Sequence, residues 1–317
     1  MNILVTGGAG FIGSALSKRL FEKGHNVFVL DNFNDYYDIN LKKKRCEVFL
    51  KDIEIIKGDI RDEVLLDKIF KEKNIKMVCH LAAMAGVRYS VEHPKEYTDN
   101  NIQGLINLLE VMVKNDCRKI VFASSSSVYG NSSKAPYQET ESADKPESIY
   151  GVTKRAGEMI LNTYFKLHNI ESFSLRFFTV YGPWSRPDMA MLKFANNIHN
   201  SKSIEIYNNG NLRRDFTYID DIVNGFVLAV EKLNGCEIFN LGNGSPVELV
   251  KFVDLLEKEL GIEAKRVMMP MQAGDVFETY ADTTRAKEKL GFKANVSFEE
   301  GVKSFTDWYK DFHKNQL

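Results

Sequence analysis

Two side chains near the middle of the chain have types and spacing suited to proton transfer. Tyr150 and Lys154 are four residues apart, so on a helix they lie on the same face. A phenol, with an ordinary pKa of about 10, is a poor base at neutral pH. A neighbouring ammonium group and a bound cationic cofactor would both favour the phenolate and lower that pKa. A tyrosine and a lysine at this spacing are more often a surface contact on a helix. The pair is therefore only a candidate for a catalytic base until other residues of the sequence point to the same site.

A row of four serines at 124–127 follows the apolar stretch RKIVFA. Serine runs usually form linkers or solvated surface. This row instead ends a predicted buried strand, a position from which hydroxyl groups can face a ligand. We therefore interpret it as part of a candidate site.

A glycine-rich turn, TGGAGFIG at 6–13, follows a predicted strand and opens a predicted helix. Gly7, Gly10 and Gly13 allow a tight turn, close approach of a pyrophosphate and tight helix packing. The helix N-terminus then offers N–H groups to the phosphates. Asp31 ends the second predicted strand, where an acid can bind both ribose hydroxyls and repel a 2′-phosphate. The pattern predicts binding of NAD rather than NADP.

An α/β framework is predicted to position these residues. Over the first 180 residues, apolar strands (NILVTG, NVFVLD, IEIIKGD, MVCHLA, KIVFASS and SFSLRFF) alternate with helical patterns such as 102–113 and 150–168. Continuous rather than alternating apolar strands are typical of a parallel sheet covered on both faces. The sequence therefore predicts a Rossmann-type, doubly wound α/β fold.

The rhythm changes after about residue 180. SIEIYNNGNLRRDFTYIDD predicts a hairpin around 208–210, and PVELVKFVDLLEKELG predicts an amphipathic helix. We expect an NAD-binding domain at 1–178, to which segments at about 214–258 return. A smaller, partly interleaved portion at 179–317 is expected to bind the substrate.

Composition excludes several classes of protein. With a net charge of −1 and a pI of about 6.6, the chain is not expected to bind nucleic acid or anionic membranes. Its four cysteines are scattered, without a Cys-x-x-Cys pair, so no metal site is expected. The start has no signal-peptide pattern and no apolar run is long enough to span a membrane, so we expect a soluble cytoplasmic protein.

Seven motifs resemble those of the extended short-chain dehydrogenase/reductase family of nucleotide-sugar enzymes. They are TGGAGFIG at 6–13, GDIRD at 58–62, HLAA at 80–83, NNIQG at 100–104, SSVYG at 126–130, YGVTK at 150–154 and RFFTVYGP at 176–183. The motifs fall in order across nearly the whole chain, so the resemblance is specific.

The resemblance implies roles for individual residues. Ser125, Tyr150 and Lys154 would be catalytic, with tyrosinate taking a sugar hydroxyl proton while hydride passes to NAD. Asp59 and Ile60 would flank the adenine, and Lys154 would also bind the nicotinamide ribose. The whole implied cofactor set is Gly7, Gly10, Phe11, Ile12, Gly13, Asp31, Asn32, Asp59, Ile60, Leu81, Ala82, Ala83, Asn100, Tyr150 and Lys154.

Within this family, the residues after Ser125 distinguish the reactions. Related dehydratases carry an Asp-Glu pair there, and UDP-glucuronate decarboxylases carry a glutamate at the second position after the serine. This chain has Ser126 and Ser127 instead. Without a carboxyl group, elimination of water has no obvious proton carrier. The sequence therefore favours epimerisation at C4.

The substrate side resembles UDP-glucuronate 4-epimerases at 176–190, 31–38 and 85–90. Ser126, Ser127 and Thr179 would donate hydrogen bonds to the carboxylate, which only accepts them. Arg88 and Arg186 are available for the carboxylate or the pyrophosphate, and which meets which stays open. Arg214 matches the family's diphosphate arginine. Asp275 belongs to a QAGD stretch at 272–275, where several relatives have RPGD, so a second diphosphate arginine is missing there.

These features predict a UDP-glucuronate 4-epimerase that interconverts UDP-glucuronate and UDP-galacturonate with bound NAD. The alternatives are a 4-epimerase of UDP-glucose or UDP-N-acetylglucosamine, a UDP-glucuronate decarboxylase, and a non-catalytic NAD-binding scaffold. The resemblance also implies a homodimer formed by the helices at 102–113 and 150–168.

Overall fold

The computed structural model describes residues 1–131, 134–271 and 277–314. Its strands, in chain order, are β1 Asn2–Thr6, β2 Asn26–Asp31, β3 Glu54–Lys57, β4 Met77–His80, β5 Lys119–Ser125, β6 Glu171–Phe177, β7 Thr179–Tyr181, β8 Ser203–Ile206, β9 Arg213–Arg214, β10 Phe216–Tyr218, β11 Cys236–Leu241, β12 Val247–Glu248, β13 Lys265–Met268 and β14 Glu278–Thr279. All six strands predicted over the first 180 residues are present.

The helices connect and cover these strands. They are α1 Phe11–Glu22, α2 Ile39–Phe49, α3 Glu63–Lys73, α4 Tyr89–Glu92, α5 Pro94–Tyr97, α6 Gly104–Lys114, α7 Ile149–His168, α8 Ala190–His199, α9 Ile219–Lys232, α10 Leu249–Leu260, α11 Thr284–Leu290 and α12 Phe298–Lys314. The helix predicted at 102–113 begins differently, because Thr98–Gln103 forms a π-helical turn ahead of α6.

Seven strands form one sheet in the order β11-β6-β5-β4-β1-β2-β3, and their pairings are parallel. The strand order therefore reverses between β1 and β4. Helices cover both faces: Leu16 of α1 and Phe226 of α9 lie in one core, and Leu66 of α3 and Leu108 of α6 lie in the other. The predicted Rossmann-type doubly wound fold is confirmed.

The hairpin predicted around 208–210 is wrong. β8 pairs in parallel with β13, whereas β9 pairs with β12 and β14. Asn208, Asn209 and Gly210 have φ of 50°, 50° and 82°. Three consecutive residues with positive φ do not match the two-residue turn of a tight hairpin, and the strands on either side pair elsewhere.

The later part of the chain contributes to the main sheet as well as to smaller ones. β11 pairs with β6, although it follows the boundary predicted at residue 178. The division into domains at 1–178 and 179–317 stays a prediction. Among the described helices, none is long and apolar enough to cross a membrane.

Candidate active site

A cavity of about 370 Å³ lies where the strand order reverses, beyond the carboxyl ends of β1 and β4. Open α/β sheets bind their ligands at this position. Most of the predicted site residues line it: Gly7, Gly10, Phe11, Ile12, Gly13, Asp31, Asn32, Asp59, Ile60, Leu81, Ala82, Ala83, Asn100, Ser125, Ser126, Ser127, Tyr150, Lys154, Thr179 and Arg186. The fold thus brings together residues that are far apart in sequence.

The glycine-rich turn leaves no room for side chains. Gly7 has φ of 72°, and a Cβ there would lie 2.7 Å from the backbone nitrogen of Ala82. A Cβ on Gly13 would overlap the carbonyl oxygen of Gly7. Gly10, at the N-cap of α1, has no side chain to satisfy the first N–H groups of the helix. The cradle fits the pyrophosphate of a dinucleotide.

Asp31 is buried and already holds several partners. Its Oδ2 accepts from the backbone nitrogen of Ala9 at 3.1 Å, and its Oδ1 accepts from that of Phe33 at 2.8 Å. Lys42 Nζ lies 3.4 Å from Oδ1 and donates to Asn34 at 3.0 Å. Since each carboxylate oxygen has two lone pairs, a ribose hydroxyl can still be accepted.

Asp59 forms the second acidic position of the cavity. Arg61 contacts both of its oxygens at 2.9 Å, and Asn32 donates to Oδ2 at 2.9 Å. The hydrogen bond from Arg61 is the main reason that the pKa of Asp59 falls to about 2, against the effect of burial. Asp59 is therefore ionised, and Asn32 is fixed beside it.

The Tyr150–Lys154 pair lies on the buried face of α7. Ser148 caps this helix by accepting from the backbone nitrogen of Gly151 at 3.1 Å, which places Tyr150 in the first turn. Lys154 Nζ donates to the carbonyl oxygen of Ala123 at 2.7 Å and lies 5.9 Å from the centre of the Tyr150 ring. The amino group of Lys154 thus lies on the same side of the helix as the phenol, as the four-residue spacing predicted.

Burial shifts both groups toward their neutral forms. It lowers the pKa of Lys154 to about 7, although the charge of Glu158 opposes the shift. It also raises the pKa of Tyr150, while a hydrogen bond with Ser125 and the charge of Arg186 work in the opposite direction. Burial outweighs these two effects, so the pKa of Tyr150 is raised, and the lowering expected from the sequence would need the additional charge of a bound cofactor.

The serine row divides at the end of β5. Ser124 is 2% exposed, and its hydroxyl donates to Glu158 at 2.6 Å, away from the Tyr150 phenol. Ser125 Oγ accepts from the backbone nitrogen of Ser127 and lies 3.2 Å from its hydroxyl. Ser126 and Ser127 then form a short 3₁₀ turn. Ser124 is thus engaged with Glu158, and Ser125, Ser126 and Ser127 are the serines whose hydroxyls can bind a ligand in the cavity.

A buried ion pair lies behind this wall of the cavity. Arg176 of β6 donates to both oxygens of Glu158, at 2.8 and 2.7 Å, and each side chain is at most 1% exposed. Because Ser124 donates to the same carboxylate, α7 is connected to both β5 and β6. Glu158 is engaged with these partners and is not a spare acid for catalysis.

Arg186 lies at the other end of the cavity, near Tyr150. It forms a two-bond pair with Asp188, at 3.0 and 2.9 Å, and Tyr36 donates to the same carboxylate at 3.1 Å. Burial works against the charge of Arg186, but its bonds to Asp188 outweigh this effect and raise its pKa. The guanidinium is a permanent cation with a fixed orientation.

Two predicted substrate residues, Arg88 and Arg214, do not line this cavity. Arg88 lies outside the cavity lining, with its guanidinium 5.5 Å from the centre of the Tyr207 ring. Arg214 donates to the carbonyl oxygens of Arg213 and Phe277 and is also absent from the lining. Asp275 lies outside the described residues.

Sequence reasoning missed several residues of the site. Lys42, Asn34, Tyr36 and Tyr37 all line the cavity, and all fall in or just after the segment DNFNDYYD. The resemblance had pointed to DNFNDYYD as a substrate-side segment, but nothing in the sequence distinguished Lys42 from the adjacent Lys43 and Lys44. Asn101, next to the predicted Asn100, was also missed. Its side chain accepts from the backbone nitrogen of Met84, which lines the cavity, and donates to the carbonyl oxygen of Met84 and to the hydroxyl of Thr153.

A doubly wound sheet with a phosphate cradle and a Tyr-Lys pair at its switch point is the arrangement of a dinucleotide-dependent enzyme that oxidises and reduces alcohols. Residues 3–242 match the NAD-dependent epimerase/dehydratase family. The chain belongs to this family.

Individual relatives resemble the chain over nearly its full length. UDP-glucuronate 4-epimerase 4 of Arabidopsis thaliana is 45% identical, and the match covers 99% of this chain and 76% of the relative. A crystal structure of UDP-glucuronic acid 4-epimerase from Bacillus cereus, in complex with UDP-glucuronic acid and NAD, has a TM-score of 0.92 at 34% identity, covering 98% of this chain and 100% of the other. A UDP-glucose 4-epimerase from Thermotoga maritima, with UDP-glucose, has a TM-score of 0.90 at 35% identity, covering 99% and 100%.

Proposed function

We propose that this protein is a UDP-glucuronate 4-epimerase, which interconverts UDP-glucuronate and UDP-galacturonate. One observation carries the choice of reaction: near Tyr150 the described lining residues contribute hydroxyl groups and the Arg186 guanidinium but no acid, and the nearby Asp188 carboxylate is paired with Arg186 and does not line the cavity. Among the described residues that line it, the acids are Asp31 and Asp59, both at the predicted adenosine end. Removal of water needs a further proton carrier, whereas epimerisation reuses a single base. The relatives from Arabidopsis thaliana and Bacillus cereus support this activity.

The glycine cradle and the two acids would hold NAD. Gly7, Gly10 and Gly13 accommodate the pyrophosphate, Asp31 binds the adenosine ribose, and Asp59 lies beside the adenine. Bound NAD supplies the oxidant that accepts hydride from C4 of the sugar and returns it to the 4-keto sugar.

Tyr150 would move the proton. Its phenolate accepts the proton of the C4 hydroxyl, while Ser125 hydrogen-bonds the same oxygen and holds it in place. Lys154 stabilises the phenolate electrostatically from its fixed position against Ala123. Since burial alone raises the pKa of Tyr150, the phenolate needs the positive charges that surround it in the loaded site.

The hydroxyls of Ser126, Ser127 and Thr179 would bind the sugar carboxylate. They can donate hydrogen bonds at neutral pH without exchanging a proton with the substrate. Arg186 provides the cation at this end of the cavity. Together these residues hold the carboxylate while the keto sugar turns to present its other face.

The diphosphate would be bound by groups outside the main cavity. We assign Arg88 and Arg214 to this outer part of the substrate site, because a guanidinium group suits the oxygens of a diphosphate.

Product analysis tests the proposal. Purified protein is incubated with UDP-glucuronate and the products are followed by NMR. We expect UDP-galacturonate from the parent protein and none from Tyr150→Phe, which keeps the ring but cannot accept the proton. Formation of UDP-xylose, or no UDP-galacturonate from the parent, would contradict the proposal.

A neutral-sugar 4-epimerase is the second candidate, since the UDP-glucose 4-epimerase of Thermotoga maritima is about as similar in structure. The ratio of kcat/KM for UDP-glucuronate to that for UDP-glucose separates the two. A site built for a carboxylate leaves buried donors unpaired with the neutral sugar and rejects it. A ratio below one would favour the second candidate.

We also propose that the protein is a cytoplasmic homodimer. The exposed face of α7 carries Val152, Met159 and Leu167, which are 44%, 57% and 69% exposed. These positions lie two turns apart on one stripe. An apolar stripe of this kind is suited to packing against the same helix of a second copy.

A further inference from the structure

The segment 34–45 lies between the two ends of the cavity. At one end Lys42 is 3.4 Å from Asp31, the predicted ribose acid. At the other end Tyr36 donates to Asp188, the partner of Arg186. One short piece of chain therefore contacts both the predicted cofactor site and the loop 182–189, which carries the cation of the substrate end.

Arg45 makes the firmest contact between this segment and the loop. Its side chain is fully buried, with Nε and Nη2 donating to the carbonyl oxygen of Trp184 at 3.0 and 2.7 Å. Nη2 also donates to the carbonyl oxygen of Ser185 at 3.3 Å, and Nη1 donates to Tyr37 Oη at 2.6 Å. A planar guanidinium can make these bonds at once because its donors form a rigid fork.

The loop needs such a contact because its backbone is strained at Trp184. This residue has φ of 65°, a conformation that is unfavourable for a bulky side chain. Its ring packs against Phe49 of α2 and against Trp308 and Phe312 of α12. The bonds from Arg45 and this packing together hold the strained residue in place.

The strained residue determines where Arg186 lies. Arg186 follows Trp184 by two residues, and its guanidinium is paired with Asp188 within the same loop. If the carbonyl groups of Trp184 and Ser185 were released, the loop could relax and carry the whole Arg186–Asp188 pair away from the cavity. Arg45 itself does not line the cavity, so it would act only through the loop.

We propose that Arg45 is a positioning residue for the UDP-sugar: it fixes the loop 182–189 so that Arg186 faces the anionic substrate. The inference rests on the proposed function, because it assumes that an anionic nucleotide sugar occupies this end of the cavity. It adds a specificity-determining residue that does not touch the substrate.

A double-mutant cycle tests the inference. Arg45→Met, Arg186→Met and the double variant are compared with the parent for turnover of UDP-glucuronate. We expect each single variant to raise KM at least about tenfold and also to lower kcat, because the charge of Arg186 helps to lower the pKa of Tyr150. The double variant should then resemble Arg186→Met, because two residues that act through one contact are not additive. Effects on KM that multiply in the double variant would overturn the inference.

A milder substitution tests the same contact if Arg45→Met does not fold. Tyr37→Phe removes the hydroxyl that accepts from Arg45 Nη1 and keeps the ring that lines the cavity, and we expect it to raise KM for UDP-glucuronate about two- to fivefold. The matched control is Tyr309→Phe, which removes a bond to Asn196 far from the cavity and should leave KM unchanged. An unchanged KM in Tyr37→Phe, or the same rise in both variants, would contradict the inference.

Binding measurements separate this inference from the proposed function. Calorimetry with UDP-glucuronate gives the affinity of each variant without turnover, and cofactor content is read from absorbance after denaturation. If the parent binds no UDP-glucuronate, the proposed function fails. If the parent binds and epimerises it, but Arg45→Met binds equally well, only the inference about Arg45 fails.

Discussion

Tyr150 is placed where burial works against the phenolate that a general base requires. Burial raises the pKa of Tyr150, and Ser125 and Arg186 are the groups that oppose this effect. Lys154 is itself buried, with a pKa lowered to about 7. The base therefore depends on several weak contributions rather than on one strong partner.

Ser125→Ala should reduce activity and shift its pH dependence. Loss of the hydrogen bond removes one of the contributions that lower the pKa of Tyr150, so a higher pH is needed for the same fraction of phenolate. We expect kcat to fall about 10- to 100-fold at neutral pH and the rising limb of the profile to move toward alkaline pH. Steady-state rates for UDP-glucuronate between pH 6 and 10 measure both effects.

Ser124→Ala is the matched control, one residue earlier in the same row. Its hydroxyl donates to Glu158 rather than to the phenol. This variant should lose stability but keep the pH profile of the parent. An equal alkaline shift in both variants would mean that Ser125 has no direct effect on Tyr150.

At the scale of elements, the junction of β1 and α1 depends on the absence of side chains. The Cβ of Gly13→Ala would overlap the Gly7 carbonyl oxygen. We expect the turn to open and NAD affinity to fall at least about tenfold, as measured by fluorescence titration. Gly24→Ala is the control: it adds strain at φ of 83° in open space, so it should cost stability without weakening NAD binding. Equal NAD affinity in Gly13→Ala and the parent would contradict this prediction.

β4 ends in a buried histidine that should make the fold sensitive to acid. Burial lowers the pKa of His80 to about 3, and its Nδ1 lies 2.7 Å from Thr6 Oγ1. Between pH 6.5 and 3 the unfolded chain binds a proton there that the folded chain does not. Stability is therefore complete above about pH 6.5 and decreases below it, by up to about 1.4 kcal/mol per pH unit from this residue.

Urea unfolding of the parent and of His80→Asn, repeated from pH 7.5 to 4.5, tests this effect. The variant should lose stability at pH 7.5 but show a shallower decrease toward acid. Parallel curves for the two proteins would show that His80 does not titrate in this window.

The elements were predictable where a local pattern decides them. Continuous apolar strands predicted the parallel sheet correctly, and the glycine-rich turn lies between β1 and α1 as its sequence predicted. The hairpin predicted from the Asn-Asn-Gly turn is wrong, because β8 and β9 pair with β12, β13 and β14 rather than with each other. At α7 the spacing of Tyr150 and Lys154 predicted one shared face, but only the fold shows that this face is buried.

At the scale of the whole molecule, the substrate end of the cavity combines distant parts of the chain. Arg45 and Trp184 come from opposite halves of the sequence, and neither belongs to a periodic pattern. Contacts of this kind depend on how helices and loops pack after folding. Sequence alone therefore identified Arg186 as a candidate but not the residues that hold it.

Assembly belongs to the same scale. We expect Met159→Glu to convert the proposed dimer to a monomer, because it places a charge at the centre of the apolar stripe on α7. Light scattering after size exclusion measures the mass. Val64→Glu, at an 83% exposed position of α3, is the control and should stay dimeric. A monomeric parent, or an unchanged mass for Met159→Glu, would contradict the proposed dimer.

The position of β11 has a consequence for how the chain is made. Its residues pair with β6 from Cys236 and Ser172 to Leu241 and Phe177, and Arg19 of α1 donates to Asn224 of α9 at 2.8 Å. On the ribosome, β6 emerges well before the strand that will cover its edge. During that interval the nascent chain exposes an apolar parallel edge that can pair with a neighbouring copy. The edge of β6 is therefore covered only after β11, the last strand of the seven-stranded sheet to be synthesised, has emerged.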